Sequence, residues 1–235
     1  MAYSKWVNPT IAALWRYPVK SMLGERCEEL LVDTRGAAGD RLYAVRDAEG
    51  KLGSGKNSGR HRRIEGLFGL SAAHEGDLPR ITFPDGRSML ANDPGVHAAL
   101  SAALRTPVTL ALEKDVSHYD SAPLHLVTTS SLAGLKKALP GAGIDERRFR
   151  PNLVIEGEGE NRWIGRTLQV GDEVRLEVVD WTERCVMITM AQSELADEPR
   201  ILRAVAQGEA EALFGVYAEV RVPGRIRRGD TVVVQ

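Results

Sequence analysis

Trp181–Met190 reads Trp-Thr-Glu-Arg-Cys-Val-Met-Ile-Thr-Met, placing Cys185 after a charged stretch and before an apolar run. The pattern predicts a loop that becomes a strand, with Val186–Met190 as the strand. Arg184 is a fixed cation beside the thiol and favours the thiolate, the nucleophilic and metal-binding form of cysteine. Free cysteine also serves as a small buried hydrophobe. On this stretch alone, packing is the simpler reading of Cys185.

Four other junctions share its logic, a cation or hydroxyl at the end of a predicted strand. They are Lys20-Ser21, Asp40-Arg41, Thr128-Thr129-Ser130 and Arg150-Pro151-Asn152. Taken singly, each reads as a turn cap or a surface ion pair. If the strand ends converge, they form a cationic cup with a helix N-terminus near residue 130, a receptor for phosphate or pyrophosphate.

Other arrangements fail on spacing. Gly50–Asn57 is one residue short of a phosphate-binding loop and puts Asn57 where a hydroxyl should hold Mg²⁺, although Lys56 could still touch a phosphate. The five histidines show no zinc spacing among themselves or with the cysteines. His125, between Leu124 and Leu126, reads as a core or site-wall histidine rather than a base for Cys185.

The elements that must position these groups are short. Predicted strands cover Thr10–Trp15, Cys27–Asp33, Arg41–Arg46, Leu67–Ala72, Arg80–Phe83, Arg87–Leu90 and Val108–Leu112. Turns rich in glycine, aspartate and proline separate them, and residues 53–63 read as a mobile loop. In the second half, strands are expected at Leu124–Thr128, Asn152–Glu156, Glu173–Thr182, Val216–Val222 and Thr231–Val234. Three helices interrupt the pattern. Val96–Leu104 follows an Asp93-Pro94 start, Leu132–Leu139 is capped by Thr129-Ser130-Ser131, and Glu198–Gln207 begins at a proline. The fold class is therefore mainly β with a few short helices, in two units of residues 1–113 and 114–235.

The totals bound the partners. A net charge of −1 gives no global field for nucleic acid or an anionic membrane. Arginines nevertheless cluster at Arg60–Arg63, Arg147–Arg150 and Arg225–Arg228. Two distant cysteines make neither a disulfide framework nor an iron–sulfur ligand set. With no signal-peptide layout and no apolar run near the ~20 residues of a membrane helix, the expectation is a cytoplasmic protein with reduced thiols.

Five blocks in order resemble the MOSC-domain proteins (molybdenum cofactor sulfurase C-terminal domain) preceded by that family's N-terminal β-barrel domain. They are Leu14–Ser21, Gly39–Tyr43, Pro123–Leu132, Arg148–Asn152 and Arg184-Cys185; Phe214–Tyr217 and Gly224–Asp230 also fit. The resemblance implies a MOSC-type β-barrel after a smaller β-rich domain, holding a molybdenum cofactor (molybdopterin). Carried over by position, Lys20, Ser21, Arg41, Ser130, Arg150 and Asn152 would hold the pterin and its phosphate. Arg184 would flank the metal ligand, and Cys185 would supply the sulfur.

In the amidoxime-reducing branch of the family, such sites reduce N-hydroxylated compounds. The resemblance thus implies a small-molecule substrate and a separate electron-donor protein of ferredoxin, flavin or cytochrome type, since no cysteines remain for an internal cluster. Met190–Glu194 lacks the Asp-Pro and following glycine typical of the branch. There is no room for a pyridoxal-phosphate desulfurase domain, so a full cofactor sulfurase is not expected. The alternatives are a carrier of the cofactor or of sulfur as a Cys185 persulfide, without turnover, and a β-barrel that has lost the metal.

Overall fold

The computed structural model describes residues 8–157, 159–206 and 212–235. Its main sheet has eight strands in the order Val232–Val234, Thr167–Val170, Val174–Glu183, Leu213–Val222, Leu124–Thr128, Leu153–Ile155, Ile11–Arg16 and Glu25–Cys27. Only the Leu124–Thr128 and Leu153–Ile155 pair is parallel. The sheet closes on itself. Thr10 bridges Thr231, the Ile11 N–H donates to the Asp230 carbonyl at 2.9 Å, and the Val232 N–H donates to the Pro9 carbonyl at 2.7 Å. Closure removes the open edges that would otherwise seek a partner strand. Alternation directs Val174, Leu176 and Val178 into one core with Leu126, Leu153 and Val216.

The N-terminal part carries two further sheets. One comprises Ser88–Leu90, Leu78–Thr82 and Ser71–Glu75; the other comprises Thr109–Leu112, Tyr43–Arg46, Leu52–Ser54 and His61–Arg63. They share a core around Met22, Leu70, Ile81 and Leu100, the last from the helix Val96–Leu104. Hydrogen bonding crosses residue 113 in both directions. Ile11–Arg16 lies inside the barrel sheet, and Glu29–Asp33 pairs with Gly224–Arg227 near the chain's end. Gly224–Arg227 thus ties together segments far apart in the chain.

Several elements differ from their sequence pattern. The expected loop at residues 53–63 is bounded by Leu52–Ser54 and His61–Arg63, which pair in parallel. Cys27–Asp33 breaks into Glu25–Cys27 and Glu29–Asp33, each with its own sheet. Leu67–Gly69 is a 3-10 turn ahead of the strand Ser71–Glu75. The helix after Leu124–Thr128 spans Thr129–Ala138, because Thr128 Oγ1 is the cap, accepting the Ser131 N–H at 3.2 Å. The helix Val96–Leu104 has its expected bounds, and only its cap differs: Gly95 precedes it, with the Asp93 carboxylate accepting the Gly95 N–H at 2.7 Å. The helix expected at Glu198–Gln207 is Arg200–Val205, and Gln207 lies outside the described residues.

The largest difference is at Val186–Met190, where Val186–Thr189 forms a 3-10 turn instead of a strand. Its carbonyls are engaged elsewhere: Glu198 N–H donates to Thr189 O at 2.7 Å, and buried Arg148 donates to Met190 O at 3.1 Å. Apolar composition made the segment resemble a strand; capture of its backbone acceptors bends it into a turn.

Candidate functional site

Cys185 is half-buried at the N-terminal cap of that turn, with extended backbone. Ahead of it, Val174–Glu183 loses register with Leu213–Val222 between Val178 and Asp180 and again between Trp181 and Glu183. Bulges of this kind bend a strand and re-aim its side chains. Here they deliver Asp180, Trp181, Glu183, Arg184 and Cys185 to the wall of one cavity of about 360 Å³, within the range that holds small ligands.

That cavity also takes Lys20, Ser21, Arg41, Arg150 and Asn152, so seven of the eight residues singled out from the sequence share it. Ser130 does not. It lines a neighbouring depression with Ser131, Glu160 and Phe214, which meets the cationic cavity at Trp181 and Leu213. Lys56, from the failed phosphate-loop motif, is on the cavity wall.

Three of the wall residues have left-handed backbone: Ser21 (φ 63°), Arg41 (φ 50°) and Arg150 (φ 55°). Such strain in residues with side chains concentrates at functional sites, where the surrounding structure holds it. Ser21 Oγ donates to Gly53 O at 3.0 Å. Arg41 pairs with Asp40 and donates to Arg150 O at 3.2 Å. Asn152 is fully buried; its Oδ1 accepts the His125 N–H at 3.2 Å and its Nδ2 donates to Trp15 O at 3.3 Å, joining three strands below the floor.

The electrostatics are one-sided. Six cationic side chains face the cavity (Lys20, Arg41, Lys56, Arg148, Arg150, Arg184) against three carboxylates (Asp120, Asp180, Glu183). Arg150 donates to Met22 O at 2.6 Å, while its Nη2 finds no partner among the described residues. Burial, and then the neighbouring Arg41 charge, bring its pKa down to about 10. Burial also lowers Lys20 and Arg184, Lys20 against the pull of Asp120 2.9 Å away. Arg184 donates to Phe149 O at 2.8 Å and leaves Nε unpartnered. Buried guanidinium nitrogens without acceptors are costly unless a ligand supplies the acceptor.

Two wall groups have no role that the sequence named. Asp120 sits on the segment between Leu112 and Leu124, where its carboxylate faces Lys20 and stands 3.5 Å from His61 Nε2. Arg148 is 2% exposed and donates to Gly143, Met190 and Ala196 carbonyls, clamping the segment that follows Cys185. The sequence placed it in an arginine cluster and in the Arg148–Asn152 block without giving it a role of its own. Other arginines of the clusters are outside the cavity lining and are paired: Arg147 with Asp145 and Glu194, Arg225 with Glu29, and Arg228 with Glu28.

The model of the MOSC domain matches residues 113–233, and that of the MOSC N-terminal beta barrel domain matches residues 8–92. The chain belongs to the MOSC family. Among curated relatives, this MOSC chain is 28% identical to mitochondrial amidoxime-reducing component 1 of Homo sapiens, over 95% of the chain and 82% of the relative. To its Mus musculus counterpart it is 26% identical, over 95% and 81%. The crystal structure of the YuaD protein from Bacillus subtilis superposes with a TM-score of 0.53 at 13% identity, covering 97% of this chain and 96% of that one, a likeness of fold. MOSC proteins are associated with the molybdenum cofactor. Among the described residues no three His, Cys, Asp or Glu side chains gather as a ligand set. The unpartnered guanidinium nitrogens and the soft thiol fit a phosphate-bearing, sulfur-ligated molybdenum cofactor. No helix of the described residues is long and apolar enough to cross a membrane.

Proposed function

We propose that this chain binds the molybdenum cofactor in the cationic cavity and reduces N-hydroxylated small molecules with electrons from a separate redox protein. The observation that carries the reading is the single cavity that takes Cys185 together with Lys20, Arg41, Arg150 and Arg184. The likeness to relatives named amidoxime-reducing components supports the substrate class.

When bound, the cofactor supplies a two-electron reductant that no side chain of the chain can replace. Overall, an N–O bond breaks, two electrons and two protons enter, and the oxygen leaves as water. The chain's part is to hold and orient. Arg150 and Arg41 offer charge-assisted donors to the phosphate, Lys20 and Ser21 line the same wall, and Asn152 fixes the strand ends beneath them. Cys185 provides the thiolate ligand, and Arg184, held by Phe149 O, keeps positive charge beside it. Asp180 and Glu183 line the cavity on the strand that leads to Cys185 and leave it less cationic there.

The test is metal and pterin analysis of protein made in a cofactor-competent host, followed by turnover of a benzamidoxime-type substrate with an artificial electron donor. Bound cofactor with turnover is expected. Bound cofactor or Cys185 persulfide without turnover would make the chain a carrier, and absence of both would leave the cavity without this role.

A further inference from the structure

Tyr17 follows the strand Ile11–Arg16 and is 1% exposed, yet its hydroxyl has no partner among the described residues. Its N–H donates to Asp40 Oδ1 at 2.7 Å, tying the backbone to the carboxylate that also holds Arg41. The ring meets both arginines. The guanidinium carbon of Arg150 lies 4.2 Å from the ring centroid and that of Arg41 lies 4.9 Å from it. Gly24 makes room for this: a Cβ there would collide with the Arg16 carbonyl and press on Tyr17 Cδ1.

The two cations repel each other, and Arg150 makes no ion pair among the described residues. What faces it is the Tyr17 ring, the more distant Phe68 ring at 6.0 Å and one carbonyl. An aromatic face attracts a desolvated guanidinium through its quadrupole without neutralising it. A carboxylate would do the opposite, cancelling the charge a ligand needs.

We infer that Tyr17 is a positioning residue whose aromatic ring holds both Arg41 and Arg150 in place for an anionic ligand, its hydroxyl taking no part. The inference rests on the cavity reading given above and adds a residue that does not itself line the cavity.

The experiment titrates inorganic pyrophosphate into the full chain by calorimetry and measures pterin retained per chain. It compares wild type, Tyr17→Phe, Tyr17→Leu and a series with progressively fluorinated phenylalanine at position 17. Thermal melts accompany each variant. Tyr17→Phe is expected to bind within about twofold of wild type, and the fluorinated series to weaken stepwise to about tenfold, because fluorine drains the ring face while keeping its shape. Tyr17→Leu should fall at least as far; if it fails to fold, the fluorinated series still decides. A flat series with wild type binding would overturn the inference and leave the cavity reading standing. So would a Tyr17→Phe that loses as much as the fully fluorinated ring. Wild type that holds neither pyrophosphate nor pterin would remove the cavity reading and the inference with it.

Discussion

Cys185 and Arg150 do different kinds of work, and substitution separates them. Cys185 is half-buried and makes no side-chain hydrogen bond that sets the fold of the described residues. Cys185→Ala is therefore expected to abolish metal retention and turnover while the melting temperature stays within about 2 °C of wild type. Retained activity in metal-assayed protein would refute the ligand role. Arg150 is a buried charge whose folded pKa of about 10 lies below its ordinary value, so the fold carries the protonated form at a cost through neutral pH. That cost is on the order of 1–3 kcal/mol. Arg150→Met should raise the melting temperature of the ligand-free protein by about 2–6 °C while weakening pyrophosphate binding at least tenfold. A lower melting temperature would mean the guanidinium supports the fold instead. At this scale the sequence was readable where a residue type is rare or charged at a strand end, as with Cys185 and Lys20. It was silent about Tyr17 and Asp120, whose roles come from neighbours 24 to 133 residues or so away along the chain; Arg150 and Tyr17 illustrate the longest of these.

Elements aim the residues, and the aiming devices are departures from regularity. The last two of the three register breaks in Val174–Glu183 bring Cys185 to the cavity, and the adjoining strand Leu213–Val222 has its own irregular point at Gly215 (φ 83°). A Cβ at Gly215 would strike His125 Nε2 and come within 2.6 Å of Leu126 O and 2.9 Å of a Val127 methyl, all on the neighbouring strand. Gly215→Ala is expected to destabilise by about 2–4 kcal/mol, read as a shifted denaturation midpoint at unchanged slope, and to reduce cofactor occupancy by moving His125 and the cavity wall. A neutral effect would show that the strands slide freely here. Strand positions such as Leu124–Thr128 were legible because alternation and flanking turns are local signals. The turn at Val186–Thr189 was not, because its cause is Arg148, a side chain about 40 residues earlier that takes carbonyls a strand would have paired.

At the scale of the whole molecule, the cavity lies where the segment between Leu112 and Leu124 passes from one core to the other, and two buried histidines fasten that segment. His118 sits on it, fully buried, with Nε2 3.2 Å from Arg46 Nη2 and its backbone N–H donating to Glu113. His61 faces Asp120, with Lys20 and Arg60 as cationic neighbours. Burial brings both imidazoles down to about 4; nearby cations reinforce this, while Asp120 at His61 and Glu113 at His118 oppose it. Unfolded, each titrates near 6.5. Their neutral forms thus contribute stability fully present above pH ~6.5 and lost progressively as pH falls toward 4, because the unfolded chain takes up protons that the folded chain refuses. Most carboxylates stay ionised down to about pH 5, so the window from about 6.5 to 5 isolates the histidines. The expected result is a falling melting temperature across that window with an uptake on unfolding that rises toward about three protons at pH 5, because burial also holds His125 well below its ordinary value and it adds to His61 and His118. Pyrophosphate should offset part of the fall, since an anion in the cavity binds the folded form and draws on the same Lys20 and Arg150 charges. A flat profile between pH 6.5 and 5 would show that the histidines can protonate in place, and that the segment over the cavity is not held by their neutral state.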